Sequence, residues 1–195
     1  AWLNQNALGV QNWDKYASLI QGKGEMGNVY PKYLWGVEGD TPSFLNVMPN
    51  GLNDPEDPTQ VGWGGYHVFG LSPDSITFSW TNWAEPVKSA SDAYEKKFYP
   101  DEFNDFAARM AWAESGTGNT NPVVIVNGYK GIAPIYINVR AGETITLDAS
   151  ESYDPESDSL SFSWWVQNEI SSPVLISDPS ATTITVTIPE NATGK

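Results

Sequence analysis

Thr182-Thr183-Ile184-Thr185-Val186-Thr187-Ile188 is a stretch in which threonine alternates with apolar side chains. Successive side chains of a β-strand point to opposite faces of the sheet, so this alternation gives one apolar face and one hydroxyl face. The pattern is typical of a strand that is half-buried in an antiparallel sheet. It therefore predicts that the end of the chain is β-structure.

Shorter apolar segments precede this stretch and are separated from one another by turn-forming residues. They span residues 123–126, 135–139, 144–148, 160–166 and 174–177. Short strands about ten residues apart are typical of an immunoglobulin-like sandwich, which takes about seven strands in ~100 residues. Residues 122–195 are too few for such a set, and residues 189–195 read as a connection to another strand. The sequence therefore predicts an incomplete immunoglobulin-like β-sandwich.

The clearest helix of the chain spans residues 100–114, where Phe103, Phe106 and Met110 recur at spacings of three and four. Pro100 suits the first position of a helix, because proline has no N–H to leave unpaired there. Acidic side chains just after it, Glu102 among them, would complement the positive end of the helix dipole. We expect a helix that begins at Pro100 and buries one face.

A second, shorter helix is predicted from Asn12 to Gln21. The Gly-, Thr- and Asn-rich segment 115–120 reads as a linker, so the predicted domains are residues 1–118 and 119–195. Helices before the linker and strands after it predict an α+β fold overall.

Charge and composition exclude several classes of function. The chain has 24 acidic and 10 basic side chains, for a net charge of −14, whereas nucleic acids and anionic membrane surfaces bind clustered Lys and Arg. No apolar run approaches the ~20 residues needed to span a bilayer. Without Cys there is no disulfide and no thiolate ligand, so any bound metal has oxygen ligands. We expect no nucleic-acid or membrane partner.

Several motifs occur in order along the chain: MGNVYP at residues 26–31, EGDTPSFL at 38–45, PNGLNDPE at 49–56, GWGG at 62–65, DFAARMAW at 105–112 and LDASESYDP at 147–155. Together they resemble a bacterial and fungal family of cellulose-binding proteins that have a nucleoside-hydrolase-like domain followed by an immunoglobulin-like domain. The EGDTPSF run is the most specific of them. The resemblance implies that residues 1–118 are the C-terminal part of an α/β nucleoside-hydrolase-like domain and that residues 119–195 are the immunoglobulin-like domain, truncated.

The chain departs from the pattern of the family in two places. The family usually has WGGWGG followed by Arg, where this chain reads TQVGWGGY at residues 59–66. Relatives also begin with a long α/β segment that carries a cluster of aspartates, and no such cluster occurs in this sequence. A role borrowed from the missing Arg or from that cluster does not transfer to this chain.

The resemblance implies a metal role for Asp40, while no catalytic residue is assigned. In nucleoside hydrolases an aspartate cluster and a late Asp hold calcium, which binds the ribose hydroxyls and activates water; Asp40 resembles the late Asp. Glu38, two positions earlier, would point the same way on a strand and face a substrate. Calcium prefers six to eight oxygen ligands, so we expect calcium only in the complete protein and no activity from this chain alone. Alternatively, Asp40 caps a turn or a helix start.

Two kinds of residue are candidates for sugar binding. Asn50 and Asn53 lie in a Pro- and Gly-containing loop whose polar groups can line a sugar pocket, or form an ordinary turn. Trp63 and Trp83 have flat apolar rings on which sugar faces can stack, although such rings are also common core residues. Residues 76–80 alternate like a strand with one buried face, which favours a core position for the rings there.

The leading hypothesis is that the chain is the C-terminal portion of a nucleoside-hydrolase-like protein that binds cellulose or another plant polysaccharide. We expect this protein to be secreted or extracellular, or else periplasmic, and the chain to be inactive alone. One alternative is a non-catalytic carbohydrate-binding module that uses exposed Trp. Another is a structural subunit whose domains are completed by a partner chain or by missing segments, through strand addition.

Overall fold

The computed structural model describes residues 17–30, 45, 51–52, 54–72 and 74–193. The chain divides into two units, residues 1–120 and residues 121–195. The first unit contains helices and a β-hairpin, and the second contains two small antiparallel sheets. The fold is thus a mixture of helix and sheet, as the sequence predicts.

The long helix α2, Val87–Ser115, organises the first unit. Its buried side chains Tyr99, Phe103 and Met110 form a core with Ile20, because burial of a large apolar face stabilises a helix more than its propensity does. The short helix α1, Gly24–Asn28, packs against the end of α2. A Cβ added at Gly24 would lie 3.0 Å from the Cα of Glu114, so only a glycine permits this close approach.

The prediction that this helix begins at Pro100 is wrong, since α2 begins at Val87 and Pro100 lies inside it. Proline removes the N–H that would bond the Lys96 carbonyl, which normally weakens a helix interior. The buried residues Val87, Ser91 and Phe98 continue the buried face of the helix upstream of the proline. Packing on both sides of Pro100 therefore outweighs the local signal.

The helix ends where the linker was predicted to begin. Gly116 adopts the left-handed conformation with φ of 71°, and its N–H donates to the carbonyl of Trp112 over 2.9 Å. This is the usual glycine C-cap of a helix. Of the predicted helix 12–21, the described residues 17–19 are helical and residues 20–21 form a turn, while residues 12–16 lie outside the described part.

A β-hairpin completes the described elements of the first unit. Strand β1, Val68–Leu71, pairs with strand β2, Phe78–Thr81, in antiparallel fashion. Phe69 lies opposite Trp80, and Leu71 lies opposite Phe78. These four residues share one face of the hairpin, since side chains of a strand alternate between faces.

The second unit has five strands among its described residues. They are β3, Ile125–Val126; β4, Tyr129–Lys130; β5, Thr144–Asp148; β6, Leu175–Ile176; and β7, Thr183–Thr187. Strands β3 and β4 form a hairpin, and β7 lies between β5 and β6 in an antiparallel sheet.

The alternation in residues 182–188 is confirmed as a half-buried strand. Ile184 of β7 is 1% exposed, whereas its neighbours Thr183 and Thr185 are exposed. On the other face, the hydroxyls of Thr144 and Thr187 lie 2.9 Å apart. The apolar alternate residues therefore build the core of this sheet.

Two of the predicted strands are wrong, because residues 135–139 and 160–166 form no strand. Trp164 instead forms hydrogen bonds to the loop at residues 179–181. Its backbone N–H donates to the Pro179 carbonyl over 2.8 Å, and its indole Nε1 donates to the Ala181 carbonyl over 2.8 Å. The apolar side chains of Ile135, Tyr136 and Ile137 are exposed. An apolar run alone therefore does not make a strand, because a ladder also needs a neighbouring strand. The immunoglobulin-like sandwich accordingly stays a prediction.

Candidate functional site

Four of the predicted site residues cannot be placed. Glu38, Asp40, Asn50 and Asn53 lie outside the described residues, so their metal-binding and sugar-binding roles stay predictions. Trp63 and Trp83 are both described, and their surroundings differ.

Trp63 is half-buried and packs inside the first unit. Its ring meets the ring of Phe98 edge to face, with centroids 5.5 Å apart, and its Nε1 donates to the Gly51 carbonyl over 3.1 Å. A Trp that packs one edge and satisfies its N–H in this way acts chiefly as an anchor. Trp63 therefore ties its turn to helix α2, and its role in sugar binding stays a prediction.

The turn that carries Trp63 is held tightly against α2. Gly62 and Gly65 exchange backbone hydrogen bonds of 2.8 and 3.1 Å. The backbone N–H of Tyr66 donates to Ser91 Oγ over 3.3 Å, and that hydroxyl donates to the Tyr66 carbonyl over 3.1 Å. Ser91 is fully buried, so the GWGG motif is a docking turn whose glycines permit close contact with the helix.

Trp83 follows the hairpin and is 68% exposed. Its backbone N–H donates to the hydroxyl of Thr81 over 3.2 Å, which holds the main chain while the indole ring faces solvent. The ring is thus accessible to a ligand, which is the condition for the predicted stacking of a sugar on Trp83. Its role as a sugar-binding residue stays a prediction.

A group of neighbouring exposed rings lies on the hairpin, on a surface that we call the aromatic face. It consists of Phe69, Leu71, Phe78 and Trp80, with exposed fractions between 45% and 67%. The ring centroids of Phe69 and Phe78 are 6.2 Å apart with planes 28° apart, and those of Phe69 and Trp80 are 5.8 Å apart with planes 68° apart. Single exposed apolar residues are ordinary, but a contiguous patch marks a site of interaction.

The opposite face of the hairpin is the covered one. Thr81 is 6% exposed and Ser79 is half-buried, whereas Phe78 and Trp80 between them face solvent. The prediction that residues 76–80 form a strand holds for Phe78–Thr81, but the core position expected for its rings is wrong. Alternation shows which side chains share a face, and packing decides which face is covered.

The hairpin carries no charged side chain on either strand, β1 or β2. The turn between them contains Asp74, whose Oδ1 accepts from the N–H groups of Ile76 and Thr77 over 2.9 Å each. These hydrogen bonds to the carboxylate lower the pKa of Asp74. The Asp74 carboxylate therefore stabilises the turn, and the aromatic face carries no charged side chain.

Helix α2 carries a half-buried carboxyl that the sequence interpretation missed. Burial, and after it the charges of Glu95 and Asp101, raise the pKa of Glu102 to about 7. Burial likewise raises the pKa of Tyr99 to about 12, aided by the charge of Glu102. Glu102 Oε1 and Tyr99 Oη are buried and have no hydrogen-bond partner among the described residues. The sequence had assigned Glu102 to the start of a helix, whereas it lies in the second half of one.

A carboxyl with this pKa can release or take up a proton near neutrality, which is a property of general acids and bases. Glycoside cleavage usually also needs a second carboxylate placed across the scissile bond. Among residues 17–30, 45, 51–52, 54–72 and 74–193, no three His, Cys, Asp or Glu side chains are grouped so that they could hold a metal ion. Glu102 is therefore assigned no catalytic role.

The variant Glu102→Gln is expected to stabilise the protein at pH 8 by about 1–2 kcal/mol, a value discounted because the side chain is partly exposed. In the folded state the pKa lies above the ordinary value of 4.5. The unfolded chain thus loses this proton first, and the carboxyl lowers stability as pH rises from about 4.5 to about 7.

Urea unfolding of the variant and the wild type at pH 4, 6 and 8 measures this difference. The two proteins should have nearly equal stability at pH 4 and diverge as pH rises. A difference that is the same at all three pH values would contradict the assigned pKa of Glu102.

No helix in the described part of the chain is both long enough and apolar enough to cross a membrane.

Comparison with known proteins finds two family models that match segments of the chain. Residues 3–67 match the model described as cellulose-binding Sde182, nucleoside hydrolase-like domain. Residues 144–195 match the model described as cellulose-binding protein Sde0182, C-terminal domain. The resemblance predicted from the sequence motifs is thereby confirmed. No match was found among curated proteins.

A solved structure is also similar to the chain. It is a nucleoside hydrolase-related hypothetical protein from Saccharophagus degradans that is associated with carbohydrate metabolism, and it shares 36% sequence identity with this chain at a TM-score of 0.78. The match covers 93% of this chain and 47% of the relative. The chain thus spans about half the length of that protein.

Proposed function

We propose that this chain is a polysaccharide-binding portion of a secreted, nucleoside-hydrolase-like protein. Two of its segments match family models of cellulose-binding proteins. Its ligand is cellulose or a related plant β-glucan. The chain binds this ligand without hydrolysing it.

The exposure of neighbouring aromatic rings is the observation that carries this proposal. Phe69, Phe78, Trp80 and Trp83 each keep about half or more of their surface open to solvent. A pyranose ring has an apolar face formed by its C–H groups, and such a face gains free energy by covering an aromatic ring. In a chain similar to a cellulose-binding family, these rings are the natural contacts for sugar.

The absence of charged side chains on the two strands of the hairpin supports a neutral ligand. The chain as a whole has a net charge of −14, which disfavours an acidic polysaccharide through repulsion. Cellulose carries no charge and is not repelled. Because the proposed contacts are apolar, binding should depend little on salt.

The non-catalytic part of the proposal rests on the number of oxygen ligands that calcium needs. Asp40 and Glu38 are the candidates that the resemblance supplies, and calcium takes six to eight oxygens. We assign calcium only to the complete protein, where additional carboxylates would join Asp40. Secretion follows from the ligand, because an insoluble polymer is reached only outside the cell.

Retention of the whole chain on insoluble cellulose tests the proposal. The chain should sediment with microcrystalline or acid-swollen cellulose and remain bound in 1 M NaCl, since an apolar contact is not screened. Agarose beads of equal mass serve as the control for nonspecific retention. If the chain stays in the supernatant with both forms of cellulose, the binding proposal is refuted.

A parallel assay tests the absence of catalysis. The chain should release no free base or sugar from purine nucleosides, pyrimidine nucleosides or cello-oligosaccharides, with or without added calcium. Turnover that depends on calcium and disappears in Asp40→Asn would overturn the non-catalytic assignment while leaving the binding proposal intact.

A further inference from the structure

The aromatic face of the hairpin has the chemistry of a sugar-binding surface, and it includes neither Trp63 nor Trp83, the two tryptophans predicted to bind sugar. Phe69 sits at its centre, directly opposite Trp80 in the strand register and diagonal to Phe78. Ring contacts join Phe69 to both of these residues. The three rings therefore form one continuous surface, whereas Trp63 packs against Phe98 in the interior of the unit.

The angles between the rings indicate which form of glucan fits. The planes of Phe69 and Trp80 are 68° apart, so these two rings cannot both lie flat on one planar surface. The planes of Phe69 and Phe78 are only 28° apart. A flat crystal face would touch part of this surface, but a single flexible chain can turn successive sugar rings to meet differently tilted aromatic rings.

A second copy of the protein is disfavoured as the occupant of this face. Each chain carries a net charge of −14, so two copies repel each other. The strands of the hairpin offer no basic side chain that would offset this repulsion. A neutral polymer approaches the same face without such a cost.

We infer that the aromatic face formed by Phe69, Leu71, Phe78 and Trp80 binds a single β-glucan chain in preference to the flat surface of crystalline cellulose. This inference rests on the proposed function, and it identifies the surface and the physical form of the ligand. The rings at Phe69 and Trp80 stack on successive sugar units, and Leu71 extends the apolar contact.

Binding of cellohexaose and acid-swollen cellulose by variants of the whole chain tests the inference. Phe69→Thr and Trp80→Thr remove a ring but keep a residue that favours strands. Each should weaken binding about tenfold, which is the effect expected from loss of one stacked ring. Tyr129→Thr is the matched control, because Tyr129 is also an exposed aromatic residue on a strand, and its affinity should equal that of the wild type.

Comparison with microcrystalline cellulose tests the form of the ligand. The wild-type chain should bind more acid-swollen than microcrystalline cellulose per unit of accessible surface. Equal or greater binding to the crystalline form would overturn the preference for single chains. Circular dichroism melts of each variant confirm that the hairpin is intact, and Phe78→Thr gives an independent variant should either of the others fail to fold.

The outcomes separate this inference from the proposed function. If the wild type binds acid-swollen cellulose and both Phe69→Thr and Trp80→Thr bind equally well, the aromatic face is refuted and the proposed function stands. Loss of binding in Trp83→Ala alone would place the site at Trp83 instead. If the wild type sediments as a dimer that Trp80→Thr makes monomeric, a second copy occupies the face and the inference is overturned. Failure of the wild type to bind either glucan refutes the proposed function.

Discussion

Gly65→Ala is expected to lower the free energy of unfolding of the first unit by about 3–5 kcal/mol, a large part of the total stability of an ordinary domain. Gly65 has a φ of 85°, a conformation that costs an L-residue with a Cβ about 1–2 kcal/mol. The added Cβ would also clash with Cβ of Ser91 and lie 2.8 Å from its Cα. The backbone strain and the clash with Ser91 both arise from the one added methyl group, so their costs combine.

Ser91 cannot move aside cheaply. It is fully buried on helix α2, and its hydroxyl bonds both backbone groups of Tyr66. The alanine methyl would therefore push the turn away from the helix and break these bonds. Since Trp63 lies in this turn and packs on Phe98, its fluorescence should change along with the stability.

Chemical unfolding followed by tryptophan fluorescence and far-UV circular dichroism measures this effect. Gly116→Ala is the matched control, since Gly116 has a φ of 71° with nothing within 4 Å of an added Cβ, and it should cost only about 1 kcal/mol. If the two variants lose the same stability, the close contact with Ser91 does not exist. A loss below 1 kcal/mol at Gly65 would show that the turn is not docked as described.

Ile184→Ala is expected to destabilise the second unit by about 2–5 kcal/mol, because it leaves a cavity at a fully buried position. Ile184 is 1% exposed and lies on β7, which pairs with both β5 and β6. A strand bonded on both sides has little freedom to collapse into the space that the side chain leaves. The cost should therefore fall in the upper part of the range.

A graded series separates packing from other effects. Ile184→Val removes one methylene and should cost about 0.5–1.5 kcal/mol, while Thr185→Ala, at the exposed position next to it, should change stability by about 0.5 kcal/mol or less. Urea unfolding with circular dichroism of the β-structure gives all three values. Equal losses for Ile184→Ala and Thr185→Ala would contradict the assignment of the buried face of β7.

Local patterns in the sequence identified the elements whose periodicity is strong. The alternation at residues 182–188 predicted β7 and its buried residue, and the apolar spacing after Pro100 predicted the second half of α2. The start of α2 was missed because Pro100 is a strong local signal for a helix beginning. Burial of Val87, Ser91 and Phe98 on the upstream half outweighs that signal.

The predictions about the site likewise succeeded where a local motif carried them and failed where the property depends on the surrounding side chains. Motif order predicted the resemblance to a cellulose-binding, nucleoside-hydrolase-like family, and the matches over residues 3–67 and 144–195 confirm that resemblance. The raised pKa of Glu102 had no signal in the sequence, because it depends on which side chains surround the carboxyl. The metal-binding and sugar-binding roles of Asp40 and Asn53 stay predictions, since these residues lie outside the described part.

The order of residues was enough to show which side chains share a face, since strand and helix periods follow from backbone geometry alone. Thus Phe78 and Trp80 had to lie on one side of their strand. Which side is covered became clear from packing: Thr81 is buried and the aromatic rings are exposed. Burial depends on what packs against an element, and that information lies in residues far away along the chain.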